Sequence, residues 1–371
     1  MKGVHRVVIQ NKRIRYDFEL QRNLTILRGD SATGKTTLIG MVQEYINNGE
    51  DSSIELRCDK YCYVLEGATW RGQLSEMKRG EYEEFNGSTS DIFEEEYFMA
   101  TLKDIVKGRR SVRTFDGNEI RPEDREKLAE YIDAGISNPF DIPVEFVLLG
   151  TEEYGLSSPV IVGEKLYVAG KVAKIPCADV AFGYSFERLV LYAWSMGIGT
   201  TWIGGTMKRE LFEKAAGLKE GEMMPCVSPL GYPAKKKSVR ETMMRKGVGA
   251  DNRMPAEKLF FDGGFDKPLS GTGQRDIADL IEVVRWAPSA VNKQPWRIVR
   301  ETDSLYHFYE KKDKGYVSEA TGDLQKIDVG IALCHFMMGL EEQGKTAKVV
   351  VSDPGIHIPN EVEYIASVQM G

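Results

Sequence analysis

Residues Ala287–Trp296 read APSAVNKQPW, and the architecture of the larger part of the chain turns on this stretch. Pro288 and Pro295 stiffen the backbone at either side, while Ser289, Asn292 and Gln294 offer a hydroxyl and amides that suit the edge of a heteroaromatic ring. Working outward, three other short stretches carry related chemistry. Lys107–Phe115, KGRRSVRTF, sets Arg109, Arg110 and Arg113 around Ser111. Such a run is either a solvated basic helix end or a phosphate cradle, because guanidinium groups make bidentate, charge-assisted bonds to phosphate. Gly197–Gly205, GIGTTWIGG, has glycines that let backbone N–H groups approach a flat ligand, with Trp202 and Ile203 as apolar surface. Gly231–Arg240, GYPAKKKSVR, is a turn followed by cations, Lys237 and Arg240 among them, that can reach the same phosphate.

The whole chain has 371 residues, 42 % of them hydrophobic, with 49 Lys+Arg against 56 Asp+Glu. That is enough apolar material for two or three domains. A net charge of −7 leaves no electrostatic footprint for nucleic acid and no basic tail for an anionic membrane. Five scattered cysteines, without CxxC spacing, and four histidines, without HExxH spacing, support neither a disulfide framework nor a zinc site. A reduced, cytoplasmic protein is the simplest reading. The charged start, MKGVHRVVIQNKRIRYDF, has no signal-peptide segment. The uncharged run from Leu189 to Met207 contains Gly197, Gly199, Gly204 and Gly205 and reads as a helix running into a glycine loop, not as a membrane span.

Residues 81–98, EYEEFNGSTSDIFEEEYF, hold seven acids and no base, and are expected to be a linker. They separate a segment at 1–80 from a larger domain at 99–371. Within the latter, Ser137 and Pro143 are echoed by Ser289 and Pro295 at the same distance. A glycine-bounded helix, Gly183 to Gly197, is likewise echoed by Gly330 to Gly344. Two elements recurring in one order suggest an internal duplication, with halves at about 99–250 and 262–371; the alternative is two unrelated glycine-ended helices and chance serines.

Upstream, a short apolar strand at 23–28 precedes GDSATGKT, Gly29 to Thr36, and then an amphipathic pattern of Leu38, Met41, Val42 and Tyr45. This satisfies the phosphate-binding pattern GxxxxGK[ST]. Gly29 and Gly34 let backbone N–H groups curl around phosphates, Lys35 neutralises their charge, Thr36 can ligate magnesium, and Thr37 continues the helix start. Hydrolysis is less supported, because the one candidate second strand, Tyr61–Leu65, ends in Glu66 and not in aspartate. The segment resembles the front half of a small P-loop ATPase, a partial α/β unit that would bind ATP with Mg, or a degenerate loop that binds nothing.

Taken together, RRSxR, GxGTxWIGG, GYPxxKxSxR and APSxxNxQPW resemble the nitroreductase family of FMN enzymes over about residues 100–371, and more closely the branch with both halves in one chain. The resemblance implies an internally duplicated α+β nitroreductase-like fold with FMN held between the halves. It also implies hydride transfer from NADH or NADPH to flavin N5 and on to a nitroaromatic, quinone or similar small molecule, in ping-pong order. By the same resemblance Arg109, Ser111 and Arg113, beside Arg110, hold the ribityl chain and phosphate, joined by Lys237 and Arg240. Pro288, Ser289, Ala290 and Asn292, with Gln294 in the same loop, cover the flavin from the opposite half. The backbone of Gly204 and Gly205 faces N5, next to Trp202 and Ile203. No catalytic side chain is expected, since the cofactor carries the chemistry.

The departures from that pattern are informative. The first half has SNPFDIPVEF where a PSxxN loop belongs, and the second half lacks RRSxR. One FMN per chain is therefore expected, in a monomeric pseudo-dimer or a homodimer of such chains. A competing expectation makes nucleotide binding at Lys35 the main activity, with the flavin part a scaffold or sensor.

Overall fold

The computed structural model of the protein describes residues 5–11, 15–20, 41–42, 44–45, 52, 54–57, 101–236, 238–269 and 275–371. The chain divides into two compact units, Met1–Phe98 and Met99–Gly371. In the first, β1 (His5–Gln10) pairs antiparallel with β2 (Arg15–Leu20) on one side and β3 (Glu55–Arg57) on the other. Val7 and Ile9 alternate with less buried neighbours, as a half-buried strand requires. Ile9 packs with Ile54 and with Met41, Val42 and Tyr45, which are helical as their spacing indicates. Gly29, Gly34, Lys35, Thr36 and Thr37, the strand at 23–28, Glu66 and the acidic stretch 81–98 lie outside the described residues.

The second unit begins with α1 (Leu102–Gly108), closed by a capping box in which Thr101 and Asp104 exchange backbone and side-chain bonds. After α2 (Pro122–Asp133), β4 (Val144–Gly150) leads through the short α3 (Thr151–Tyr154) to β5 (Leu166–Ala173). Then come α4 (Ala178–Ser195), α5 (Arg209–Ala215), β6 (Glu222–Met223), β7 (Val227–Leu230) and α6 (Val239–Gly247). β5 is central in this first sheet: β4 lies antiparallel along one edge, and β6 and β7 pair end to end along the other.

The second sheet follows. β8 (Phe260–Asp262), α7 (Arg275–Arg285), β9 (Trp296–Thr302) and β10 (Leu305–Lys311) precede the two-stranded ribbon β11 (Val317–Ser318) and β12 (Gly322–Asp323). α8 (Leu324–Glu342), β13 (Ala347–Val350) and β14 (Val362–Met370) complete the chain. The sheet order is β13-β14-β10-β9-β8, antiparallel except for the β8–β9 pair.

Between the sheets α4 and α8 pack on each other. Both are apolar almost all round, as helices buried on every side must be. A continuous core runs from Val168 on β5 through Phe182, Phe186, Ile331 and Phe336 to Ile298 and Phe308. Of the glycines read as helix boundaries, Gly197 and Gly344 do follow the helix ends, but Gly183 and Gly330 are not starts: α4 begins at Ala178 and α8 at Leu324, and both glycines lie inside them. They sit where the helices touch. A Cβ on Gly183 would lie 2.1 Å from the carbonyl oxygen of Ile327, and one on Gly330 would lie 2.1 Å from that of Val180. Each glycine thus faces the carbonyl three residues before the other glycine. Among the described residues no helix is long and apolar enough to cross a membrane, and the run from Leu189 ends its helix at Ser195.

Candidate functional site

Backbone pairing brings three of the four motifs side by side. Ser111 bridges Thr200 in parallel, with Val112 N–H donating to Thr200 O at 2.8 Å, and Gly199 N–H donates to Gly231 O at 2.8 Å. The chain after α1 therefore lies against the glycine loop, which lies against the start of the GYP turn. The outer end of the glycine loop is held by mutual Ile203–Val227 bonds and by Arg209, whose Nη2 donates to Gly204 O at 2.5 Å.

Trp202 and Ile203 are placed differently from the expectation. Ile203 is buried, and the Trp202 indole turns inward, packing 4.6 Å from the Phe186 ring and donating Nε1–H to Glu187 Oε2 at 3.1 Å. The loop instead opens outward at Gly205, where a Cβ would meet nothing within 4 Å, while one on half-buried Gly204 would lie 3.6 Å from Pro225 O and 3.7 Å from Leu324. Glu187, wholly buried on α4, also joins His335 on α8, Oε1 to Nε2 at 3.0 Å, and His335 Nδ1 faces Val283 O at 3.0 Å. One carboxylate thus ties the glycine loop to the helix of the other half.

Arg109 follows α1 in extended backbone and is buried, and among the described residues neither its Nε nor its Nη1 has a hydrogen-bond partner. Arg110 Nε is likewise buried without one. Burial pulls the Arg109 pKa down, opposed by the Glu187 carboxylate and reinforced by Arg245. Burial also lowers that of Arg113, with Glu241 opposing and Arg245 and Arg109 adding to the shift. Arg253 is pushed down to about 10, first by burial and then by Arg109, against the pull of Asp251. Arg109 and Arg245 therefore stand within electrostatic reach of both Arg113 and Arg253, and Arg109 and Arg253 keep buried nitrogens with no partner among the described residues.

Arg245 and Arg253 were not among the residues singled out from the sequence. Their signal was the density of cations in a stretch read as the GYP turn and the boundary between halves. α6 brings Arg245 in: Ser238 caps it, accepting from Glu241 N–H at 3.1 Å, and buried Glu241 accepts from Arg113 N–H at 3.2 Å and Thr114 Oγ1 at 2.8 Å. Arg240, on the same helix, is not with the cluster: it is exposed and its Nη1 donates to Pro159 O. The structure thus places Arg240 apart from the arginines around Arg109, where the sequence grouped it with them on one phosphate. Lys237 lies outside the described residues.

The serine loop arrives from the other side. Ser289 Oγ accepts from Gln294 N–H at 2.8 Å, and Ala290 N–H points at both carboxylate oxygens of Asp328, each at 3.1 Å. Asp328 is wholly buried on α8, and burial raises its pKa well above the carboxylate range. Val291, Asn292 and Gln294 all have left-handed backbone, with φ of 43°, 58° and 50°. Non-glycine residues adopt it only when the surroundings impose it. Asn292 Nδ2 donates to Gly249 O at 2.8 Å and Asn252 O at 3.0 Å, and Gln294 Oε1 accepts from Met254 N–H at 2.9 Å. The turn at 137–143, whose serine and proline share the spacing of Ser289 and Pro295, closes on itself, Asn138 Nδ2 donating to Ile142 O at 2.7 Å.

Residues 101–340 match the family model described as “Putative TM nitroreductase”, and the chain belongs to this nitroreductase family. Among solved structures it is similar to a putative nitroreductase from Thermotoga maritima, at 18 % identity over 76 % of this chain and 99 % of that one, with a TM-score of 0.48. It is also similar to a nitroreductase family protein from Clostridium novyi NT, at 15 % identity over 38 % of this chain and 91 % of that one, TM-score 0.32. An FMN-dependent nitroreductase from Clostridium difficile R20291 aligns at 16 % identity over 38 % of this chain and 94 % of that one, TM-score 0.31. No curated protein matches the sequence.

Proposed function

We propose that the Met99–Gly371 unit is an FMN-dependent NAD(P)H oxidoreductase. What carries the reading is a set of buried guanidinium nitrogens, Arg109 Nε and Nη1, Arg110 Nε and Arg253 Nε, that have no hydrogen-bond partner among the described residues. Buried charge without a counter-ion is costly, and a bound anion removes that cost. A phosphate monoester fits these donors in charge and in hydrogen-bonding capacity. Arg109 and Arg113, with Ser111 beside them, would hold the phosphate end. Pro288, Ser289 and Ala290 would cover the ring, and the backbone of Gly204 and Gly205 would face the atom that receives hydride. FMN, when bound, supplies the two-electron chemistry, taking hydride from a nicotinamide and passing it to a nitroaromatic, quinone or similar acceptor. The protein's part is to orient both reactants in turn at one opening, which gives ping-pong kinetics.

The same reading takes the unit as a duplicated scaffold with one working site. Its support is the reciprocal Gly183 and Gly330 contact, together with the self-closed Asn138 turn where a second serine loop would stand. One FMN per chain follows. For residues 1–80 the reading keeps ATP and Mg binding at Gly29–Thr36 as an independent property, carried by the motif alone. Lys35→Ala should leave flavin content and NAD(P)H oxidation untouched.

The test is the visible spectrum of the purified full-length protein, before and after anaerobic NADH and then NADPH. Flavin absorbance near one FMN per chain, bleached by either nucleotide, is the expected result. A colourless protein that takes up no added FMN would overturn the oxidoreductase reading, and two flavins per chain would overturn the single site.

A further inference from the structure

Arg253 is a half-buried cation that the fold goes to some length to hold in place. Its guanidinium lies 4.8 Å over the Trp286 ring, whose Nε1 donates to Glu282 at 2.9 Å. Its Nη1 donates to the carbonyls of Ala250 at 2.9 Å and Asn252 at 2.8 Å, while Nε is buried with no partner. Among the described residues it forms no ion pair. Charge next to it is positive, with Arg109, Arg245 and Arg285 all in reach and Asp251 as the opposing acid.

The segment that carries Arg253 is fastened on both flanks by the serine loop. Asn292 uses both hydrogens of its side-chain amide on Gly249 and Asn252, just before Arg253, and Gln294 takes the N–H of Met254, just after it. The Asn292 oxygen faces Gln294 Nε2 at 3.3 Å. An amide so engaged has little capacity left for a ligand. The left-handed backbone of Asn292 and Gln294 is what aims both side chains at this segment.

Resting on the oxidoreductase reading, we infer that Arg253 meets the ligand phosphate opposite Arg109, and that Asn292 is a positioning residue that acts through Arg253 and not on the flavin ring. Ring cover and phosphate grip are then one mechanical unit, because the loop that lies over the ring is bonded to the segment that presents Arg253. The inference separates ligands that carry the phosphate from those that lack it.

The experiment titrates flavin-depleted full-length protein with FMN and with riboflavin, reading quenching of flavin fluorescence, for wild type, Arg253→Gln, Asn292→Ala and the double variant. Arg253→Gln should weaken FMN roughly ten- to a hundredfold, the loss of one charge-assisted contact, and leave riboflavin within about twofold. Asn292→Ala should weaken FMN by a smaller factor, again sparing riboflavin. The double variant should bind FMN no worse than Arg253→Gln alone, since one residue acts through the other. Arg253→Lys, which keeps the charge and loses the fork, should fall between wild type and Arg253→Gln and guards against a folding defect. Equal weakening of FMN and riboflavin by Asn292→Ala would overturn the inference in favour of direct ring contact. Factors that multiply in the double variant, or a silent Arg253→Gln, would overturn it as well. A wild-type protein that binds neither flavin would bring down the oxidoreductase reading itself.

Discussion

Replacing Gly183 by Ala tests how tightly the two central helices are locked. The added methyl carbon would sit 2.1 Å from the Ile327 carbonyl oxygen, where ordinary contact begins at 3.4 Å. The obstacle is helix backbone, which cannot swing aside as a long side chain would, so α4 and α8 must part by about 1 Å. A gap of that size forfeits between a quarter and a half of each dispersion contact; over some tens of atom pairs at ~0.1–0.2 kcal/mol apiece the loss is about 2–3 kcal/mol. Gly330→Ala should lose the same amount, because its methyl meets the Val180 carbonyl at the same distance. The double variant is the decisive one. A single separation of the helices accommodates both methyls, so its loss should be about 3 kcal/mol, well short of the sum of the two. Urea unfolding followed by helical circular dichroism would read each single substitution as a midpoint lowered by about 1 M at unchanged slope. Single variants that unfold within about 0.2 M of wild type, or losses that add in full, would show that the helices do not share one contact through these glycines.

Three further substitutions probe the groups that hold the site. Val291→Gly should raise the melting temperature by about 2 °C, because a β-branched residue at φ 43° carries strain of about 1–2 kcal/mol that glycine releases, partly offset by its greater freedom in the unfolded chain; a lower melting temperature would refute the strain. Glu187→Gln keeps an acceptor for Trp202, offers an amide N–H to His335 Nε2 in place of the carboxylate oxygen, and should cost under about 1 kcal/mol, whereas Glu187→Leu strands both and should cost about 3–4 kcal/mol. Equal urea midpoints for the two would contradict the buried bridge. Burial raises Asp179 to about 6 and Glu310 to about 7, so the native state keeps protons that an unfolded carboxylate releases. Their contribution is complete below the ordinary carboxylate range and is lost as pH rises through those values. Stability should accordingly fall between about pH 4 and about pH 7 and level off above, and Asp179→Asn with Glu310→Gln should flatten that fall; an unchanged slope would exclude these two groups as its source.

The parts of the site that could be read from the sequence are those whose chemistry is packed into a few consecutive residues. Arg109, Ser111 and Arg113 lie within five positions, and Ser289, Asn292 and Gln294 within six, so residue type and spacing alone carry the message. Arg245 and Arg253 could not be found that way. What makes them part of the site is the pitch of α6 and the bonds from Asn292 and Gln294, both set by tertiary structure. Arg240 failed for the complementary reason, since a cation five positions from Arg245 on a helix does not point in its direction. The glycine echo was visible as a spacing, but spacing cannot tell a helix end from a helix crossing. Only the approach of Gly183 to Ile327, and of Gly330 to Val180, makes that distinction.

These same contacts set the central helices of the Met99–Gly371 unit apart from the loops around them. A change at Gly183 is felt at Gly330, because both lie on one shared contact, and by the magnitudes above either substitution removes a large share of the stability of a typical domain. Packing therefore holds the two central helices to one another's geometry. The loops have no such tie. The Asn138 turn satisfies its own backbone through the bond to Ile142 and asks nothing of the other half, while the serine loop reaches across to residues 249–254 with Asn292 and Gln294.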